Sequence, residues 1–363
     1  MKKTILLVFA GECHRLPPFL AIIDSLHYDY QLKVISYEKR KGMEMLKSQY
    51  KDVEFLSSCI RPETESFSDK LIRHLYYPIA FHRETKRLIK TTSRDLLWII
   101  HERTLIEFAD SLPDKDYIVS FYELNDTDEK FVKKTRKTVL RAKELITAEY
   151  NRSCIMRVWY KLDYTPAVIP NKPYYHPRKR NLECEYSAVF NGKKVILYQG
   201  HIQRVRNVNA LCDAVEGMPG YLLVLMGDGD DEYVNYLKNK YKNILFVDFI
   251  APPHHLDVTS WARIGIVKYD FTFINHLYCA PNKIWEYSGF DMPMIGNQLP
   301  GLQNTFERYH AGLCVDTESP DEIKRAIKRI DDNYEEFSAN ARRFYDSFDV
   351  KKEILKIVDK NIQ

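Results

Sequence analysis

The sequence predicts an α/β protein built of two Rossmann-like units, and three observations carry that expectation. With 363 residues the chain is too long for one ordinary core and long enough for two medium-sized ones. Short apolar runs alternate with amphipathic stretches along most of it, the pattern of parallel strands joined by helices. That alternation pauses once, over the proline-containing stretch from Pro170 to Asn191, and then restarts. The reading places a first domain at 1–172, a second at 173–335, and a terminal helix over 336–363 packing back on the first. The two domains are expected to face a central cleft, with ligands at the carboxyl ends of the strands.

In chain order, the first half offers buried strands at Ile5–Ala10, Leu32–Tyr37, Leu96–Ile100, Tyr117–Phe121, Leu145–Thr147 and Val168–Ile169. The first run follows two lysines and imitates a secretion signal. Counted from Thr4 to Ala10 it is only seven residues long and breaks at Gly11-Glu12, so it reads as a strand. Between Ile60 and Thr92 the chain turns basic, aromatic and helical in pattern, with Leu71, Ile72, Leu75, Tyr76 and Ile79 on one face. The second half gives strands at Val195–Tyr198, Leu222–Leu225, Ile244–Phe246, Ile264–Val267, Pro293–Ile295 and Leu313–Val315. Helices are expected at Val208–Val215 and Asp231–Lys240, and a charged helical tail from Asp321.

Composition removes several classes of function. Apolar residues make up 45% and charged residues 29%, which excludes a disordered or fibrous chain. A net charge of +4 is too mild to call for nucleic acid, and no apolar run approaches the ~18 residues of a membrane span. Seven scattered cysteines with no C-x-x-C fit reduced thiols in a cytoplasmic protein, neither a disulfide framework nor a zinc site. The 25 tyrosines are the one oddity; Tyr76, Tyr77 and Tyr122 are candidates for lining an acceptor groove.

No G-x-G-x-x-G follows the first strand and no Walker A lysine occurs, which argues against a dinucleotide or P-loop site. Gly200 opens a strand-to-helix loop carrying Arg204 and Arg206, placed either to fork onto phosphate oxygens or simply to face solvent. Gly227-Asp228-Gly229 is a tight turn after a strand, suited to ligand approach or to backbone packing alone. Around Pro281 a helix opens with Asn282 and Lys283 at its positive end and Glu286 one turn along. These three side chains either converge on a ligand or form an ordinary surface pair. A carboxylate there can accept from both hydroxyls of a ribose while Lys283 faces phosphate.

Asp126-Thr127-Asp128 resembles a metal-binding D-x-D but precedes a helix and reads as its cap, and His254-His255 reads as a loop or helix start. No metal is expected. Residues 129–143 hold seven cationic residues and one anionic, with Phe131, Val132, Val139 and Leu140 as an apolar side. This helix either docks on an anionic membrane surface or packs on its own sheet.

Taken in order over residues 193–320, these motifs resemble the donor half of retaining glycosyltransferases of the GT-B fold, family 4 in type. The matching residues are Gly200 with Arg206-Asn207, then Gly227 to Gly229, Asn243-Ile244, Pro281, Lys283, Glu286-Tyr287, Gly289, Pro293 and Ile295. In the first half Asp95 to Glu102, Tyr122-Glu123-Leu124 and Pro170-Asn171 are similar to the family's acceptor domain. The chain departs from the pattern at His201, where many members have arginine, and at Tyr278, where many have glutamate.

The resemblance implies transfer of a hexose from a nucleotide-diphosphate sugar, such as a UDP-sugar, to a glycan or lipid-linked glycan acceptor with retained configuration. Arg206, with Arg204 and Lys283, would neutralise the diphosphate, and Gly200 and Asn282 would approach the donor. Glu286 would hold the ribose and Phe249-Ile250 flank the base. His101 would meet the transferred sugar, and the Gly11-Glu12 amides would approach from the first domain. The leaving phosphate would serve as base, with no cofactor and no carboxylate nucleophile. The expected setting is bacterial surface polysaccharide or glycolipid synthesis, in the cytoplasm or at the inner face of the membrane. A catalytically degenerate nucleotide-sugar-binding subunit and a non-hydrolysing nucleotide-sugar epimerase are the rival readings.

Overall fold

Strands that are apolar at every position must be covered on both faces, which a parallel sheet wrapped by helices achieves. The computed structural model describes residues 2–62 and 67–362, with the backbone alone for 67–75. It divides the chain into two units, residues 1–174 together with 350–363, and residues 175–349.

The first unit holds β1 (Thr4–Phe9), β2 (Gln31–Ser36), β3 (Glu54–Phe55), β4 (Leu96–Ile100), β5 (Tyr117–Phe121), β6 (Glu144–Thr147) and β7 (Ala167–Val168). They form one sheet in the order β3-β2-β1-β4-β5-β6-β7, parallel throughout. Leu6, Val8, Leu97, Ile99 and Val119 feed one core cluster, and the alternating Ile5, Leu7, Leu96 and Trp98 are equally buried on the other face. The strand order reverses between β1 and β4, so the loops leaving these two strands diverge and leave a crevice at their carboxyl ends.

The second unit holds β8 (Lys194–Gln199), β9 (Tyr221–Met226), β10 (Ile244–Val247), β11 (Ile264–Val267), β12 (Met294–Asn297) and β13 (Gly312–Val315). Their order is β10-β9-β8-β11-β12-β13, again all parallel. Val195, Leu197, Val224 and Met294 enter one core, and Ile196, Tyr198, Leu223 and Ile295 enter the other. Here the reversal lies between β8 and β11. Each expected strand is present within a residue or two; the added one, β3, is only two residues long and carries too little pattern to read.

The terminal helix starts later than position 336. Helix Tyr334–Asp346 contributes Phe337, Ala341 and Phe344 to the cores of the second unit. Only Val350–Asn361 belongs to the first unit, where it packs against helix Pro17–Leu26. Lys3 Nζ and Lys143 Nζ donate to the carbonyls of Ile362 and Asn361, both at 3.3 Å, and Lys360 pairs with Glu144. The basic segment forms helix Phe131–Arg141, whose Phe131 and Val139 are already buried in the unit's own core; Leu140 is exposed. Asp128 serves that helix, accepting from the Lys130 amide at 3.0 Å and from Lys134 Nζ at 2.8 Å. Leu71, Ile72 and Leu75 lie outside the residues whose side chains are described. No described helix is long and apolar enough to cross a membrane.

Candidate functional site

At the carboxyl end of β8 the chain turns on Gly200, whose φ of +145° only glycine adopts without strain. A Cβ there would stand 3.1 Å from Lys283 Nζ and 3.5 Å from an Arg206 guanidinium nitrogen, so three of the expected residues meet at one point. The neighbouring turn explains the second glycine motif. Gly227, at φ +141°, leaves β9 so close to Gly200 that a Cβ would overlap the Gly200 carbonyl oxygen at 2.3 Å. Backbone packing is therefore the work of Gly227. Asp230, just beyond, caps helix Asp231–Lys240 by accepting from the Glu232 and Tyr233 amides.

Arg206 ends a single 3₁₀ turn, and the next residue, Asn207, is tied down by Lys268 from the end of β11. Lys268 Nζ donates to the Asn207 carbonyl at 2.6 Å and to the Thr317 carbonyl at 3.2 Å, and pairs with Glu318 at 2.6 Å. The Arg206 guanidinium lies 5.7 Å from the Tyr269 ring centre, and Lys283 Nζ lies the same distance from that ring. Arg204 goes elsewhere: it pairs with Glu232 at 3.0 Å on the exposed surface and leans on Tyr233 and Tyr236. It is not part of the cluster.

Helix Asn282–Gly289 is buried from Lys283 onward, and its N-cap, Pro281, supplies no side-chain acceptor to the first amides. Lys283 Nζ donates to the Gln199 carbonyl at 2.6 Å. Burial first, and then the nearby Arg206 charge, push its pKa down to about 8. Among the described residues no carboxylate forms an ion pair with Arg206 or Lys283. Two cations converge at a helix N-terminus with no ion pair to either, the nearest carboxylate felt by Lys283 being Glu286 one turn along, which is an arrangement suited to an anion.

Glu286, one turn further, is buried. Gln199 Nε2 donates to its Oε2, and His255 Nε2 lies 3.2 Å from its Oε1. Burial alone would raise this carboxyl, but His255, Lys283 and Gln199 together hold it below the usual carboxylate range. Thr259 Oγ1 sits 3.0 Å from Gln199 Oε1 and 2.9 Å from the His255 carbonyl, joining the two partners of Glu286. His176 Nε2 meets the Glu286 backbone carbonyl at 2.9 Å. Phe249 is exposed and Ile250 half-buried, in the loop between β10 and helix His255–Thr259. Asn282 is half-buried at the start of its helix.

Sequence reasoning missed Gln199, His255 and Thr259. Gln199 directly precedes the glycine and was legible as the last residue of β8. His255 reaches Glu286, and Thr259 reaches Gln199, only through the strand order, which no spacing along the chain reveals.

In the first unit, Gly11-Glu12 leave β1 and His101 leaves β4, side by side at the reversal point of that sheet. His101 has φ +78° and caps helix Glu102–Phe108, its Nδ1 accepting from the Arg103 amide at 3.2 Å; its ring stands 5.9 Å from Phe9 and 6.0 Å from Tyr122. The Glu12 carboxylate is engaged by Arg61. Glu38, fully buried two residues beyond β2, accepts from the Cys13 amide and from His14 Nδ1, both at 2.5 Å. Tyr76 and Tyr77, with rings 5.6 Å apart, border a pocket of about 370 Å³ with Ser58, Glu84 and Arg87, whereas Tyr122 is buried.

No protein-family model matches the chain, and no curated protein sequence does. Solved structures do. HepE of Anabaena, in complex with UDP-glucose, is similar with a TM-score of 0.70 and 12% identity over 99% of both chains. Sucrose-phosphate synthase from Thermosynechococcus elongatus gives 0.69 and 14% over 99% of this chain and 98% of that one. A Listeria monocytogenes protein assigned as a UDP-N-acetylglucosamine 2-epimerase gives 0.66 and 10%, over 99% and 95%. At these identities the likeness is one of fold, and the fold is GT-B, that of a broad group of glycosyltransferases.

Proposed function

We propose that the chain is a retaining hexosyltransferase that moves a sugar from a nucleotide-diphosphate donor to a hydroxyl of a glycan or lipid-linked glycan. The observation that carries this reading is the meeting of Gly200, Arg206 and Lys283 with the buried Glu286 one helical turn away. Unpaired cations at a helix N-terminus call for a dianion, and a held carboxylate beside them calls for hydroxyl donors. A nucleoside diphosphate offers both on one molecule. As the glycosidic bond breaks, negative charge grows on the departing diphosphate, where Arg206 and Lys283 stabilise it more than in the ground state. The leaving phosphate oxygen then takes the proton of the attacking hydroxyl on the same face, which preserves configuration. The reaction needs no metal, and its setting is surface polysaccharide or glycolipid synthesis at the inner face of the membrane.

The test is release and transfer of sugar from UDP-, GDP- and ADP-sugars, with UDP-glucose tried first because HepE holds it. One donor class should turn over in wild-type protein, and Glu286→Ala should lower kcat/KM by about 10²-fold or more, the loss of two charge-assisted hydrogen bonds. Activity should survive a chelator. Tight nucleotide binding without turnover on any donor would instead make the chain a nucleotide-sugar-binding subunit, and complete loss in chelator would overturn the metal-free mechanism.

A further inference from the structure

Glu286 is a long, flexible side chain, yet both of its oxygens are held by groups arriving from different parts of the second unit. Gln199 comes from the last position of β8, and His255 from the first turn of the helix before β11. The Thr259 hydroxyl stands within hydrogen-bond distance of the Gln199 side-chain oxygen and the His255 carbonyl, so the two holding groups are themselves joined.

An ionised carboxylate offers about four acceptor positions. Gln199 takes one on Oε2 and His255 takes one on Oε1, which leaves one free on each oxygen. Two neutral O–H donors spaced to bridge the two oxygens complete the set, and a vicinal diol is the simplest group that supplies them. The other ring nitrogen of His255, Nδ1, is buried with no hydrogen-bond partner. Nδ1 is unpartnered in either tautomer, so the contact at Nε2 decides: facing a carboxylate oxygen, which only accepts, Nε2 is the nitrogen that carries the proton.

We propose that His255 is a positioning residue: it fixes the Glu286 carboxylate so that its free acceptor positions recognise the 2′,3′-diol of a ribonucleotide. His255 acts through Glu286 and need not touch the ligand. The inference rests on the nucleotide-donor reading above, and it adds the residue that gives that site its preference for ribose over deoxyribose. Freezing the carboxylate before the ligand arrives removes an ordering cost from binding, so the effect belongs to affinity for the diol and not to the chemical step.

The experiment measures dissociation constants of UDP, GDP and ADP and of their 2′-deoxy forms, by calorimetry, for wild type, His255→Ala, His255→Gln and Glu286→Ala. For whichever base binds, wild type should prefer the ribonucleotide by about 10-fold or more, as one charge-assisted hydrogen bond gives. His255→Ala should reduce that preference to about 2-fold or less, nearly as far as Glu286→Ala does. His255→Gln, whose amide N–H reaches the position of the His255 Nε2, should restore most of it. Melting curves on the same samples separate this from misfolding. A full ribose preference in folded His255→Ala overturns the proposal, and so does loss of preference that His255→Gln fails to restore. Binding of no nucleotide by the wild type would overturn the donor reading itself. Binding with a preference that depends on Glu286 and not on His255 would overturn the positioning role alone.

Discussion

The two sheets share a strand order around their reversal points, yet they treat charge oppositely at their carboxyl ends. In the first unit the charged groups are paired with one another: Glu12 with Arg61, and buried Glu38 with the Cys13 amide and His14. In the second, Arg206 and Lys283 approach each other at Gly200 and neither forms an ion pair among the described residues; burial and its neighbour's charge push the Lys283 pKa down to about 8 against the pull of Glu286. A carboxylate paired in this way holds a loop in place, whereas cations without an ion pair leave an edge of excess positive charge. The same topology thus gives one edge neutralised within itself and one suited to an anion.

Lys283→Met tests that contrast most severely. It should weaken nucleoside-diphosphate binding by about 10²-fold, because a buried charge-assisted contact to phosphate disappears. Stability should move the other way. The folded lysine loses its proton near pH 8 whereas an unfolded one holds it to about 10.5, so burying the ammonium is a full cost below pH 8 and the cost fades as pH rises towards 10.5. The variant should therefore be more stable than wild type by about 1–3 kcal/mol at pH 7, with the gap closing above pH 10. Denaturant titrations at pH 7 and pH 10 read this out. Lower stability than wild type at pH 7 would mean the cation is compensated and the contrast is false.

Glu38→Ala is the matching cut in the first unit. It should cost about 2–4 kcal/mol, since it strands the buried Cys13 amide and takes the nearer carboxylate from the half-buried His14 ring. Glu38→Gln should recover part of that loss. A change below about 0.5 kcal/mol would show that the network is solvated and does not hold the loop after β1.

How much of this was readable beforehand depended on whether the signal was local. Every substantial strand was visible because parallel strands buried on both faces are apolar at successive positions; β3 was not, being two residues on an edge. Gly200, Lys283 and Glu286 were legible because each sits at a fixed offset from a strand end or a helix start. The clamp on Glu286 was illegible because His255 comes 31 positions earlier in the numbering and is delivered by the crossing from β10 to β11. The pairing of His254 with His255 misdirected attention, since only His255 faces the site. The basic helix after Glu129 showed its charges in the sequence but not its packing, because periodicity says which face is apolar and not what covers it.

Gly200→Ala sharpens the comparison at a single atom. The new methyl would need a φ that L-residues avoid and would press on Lys283 Nζ at 3.1 Å. Nucleotide affinity should fall by about 10-fold and stability by about 1–2 kcal/mol, the cost of strain at a sparsely allowed backbone position. An alanine tolerated without loss of affinity would show that the loop can retreat and that the cluster is not held rigidly.

Arg204→Ala should do least, and for that reason it separates the geometry from the motif. In the sequence Arg204 and Arg206 are equivalent members of one basic loop. In the fold Arg204 is spent on an exposed contact with Glu232, stacked beside Tyr233 and Tyr236, while Arg206 stands by Gly200. Exposed ion pairs are worth roughly 0.2–1 kcal/mol, so the variant should change stability by less than about 1 kcal/mol and nucleotide affinity by less than about 2-fold. Arg206→Ala, measured beside it, should lower affinity by at least about 10-fold through loss of a charge-assisted phosphate contact. If the two substitutions have equal effects, the loop rearranges on binding to bring both guanidinium groups to the ligand, and the cationic edge is assembled by the nucleotide instead of waiting for it.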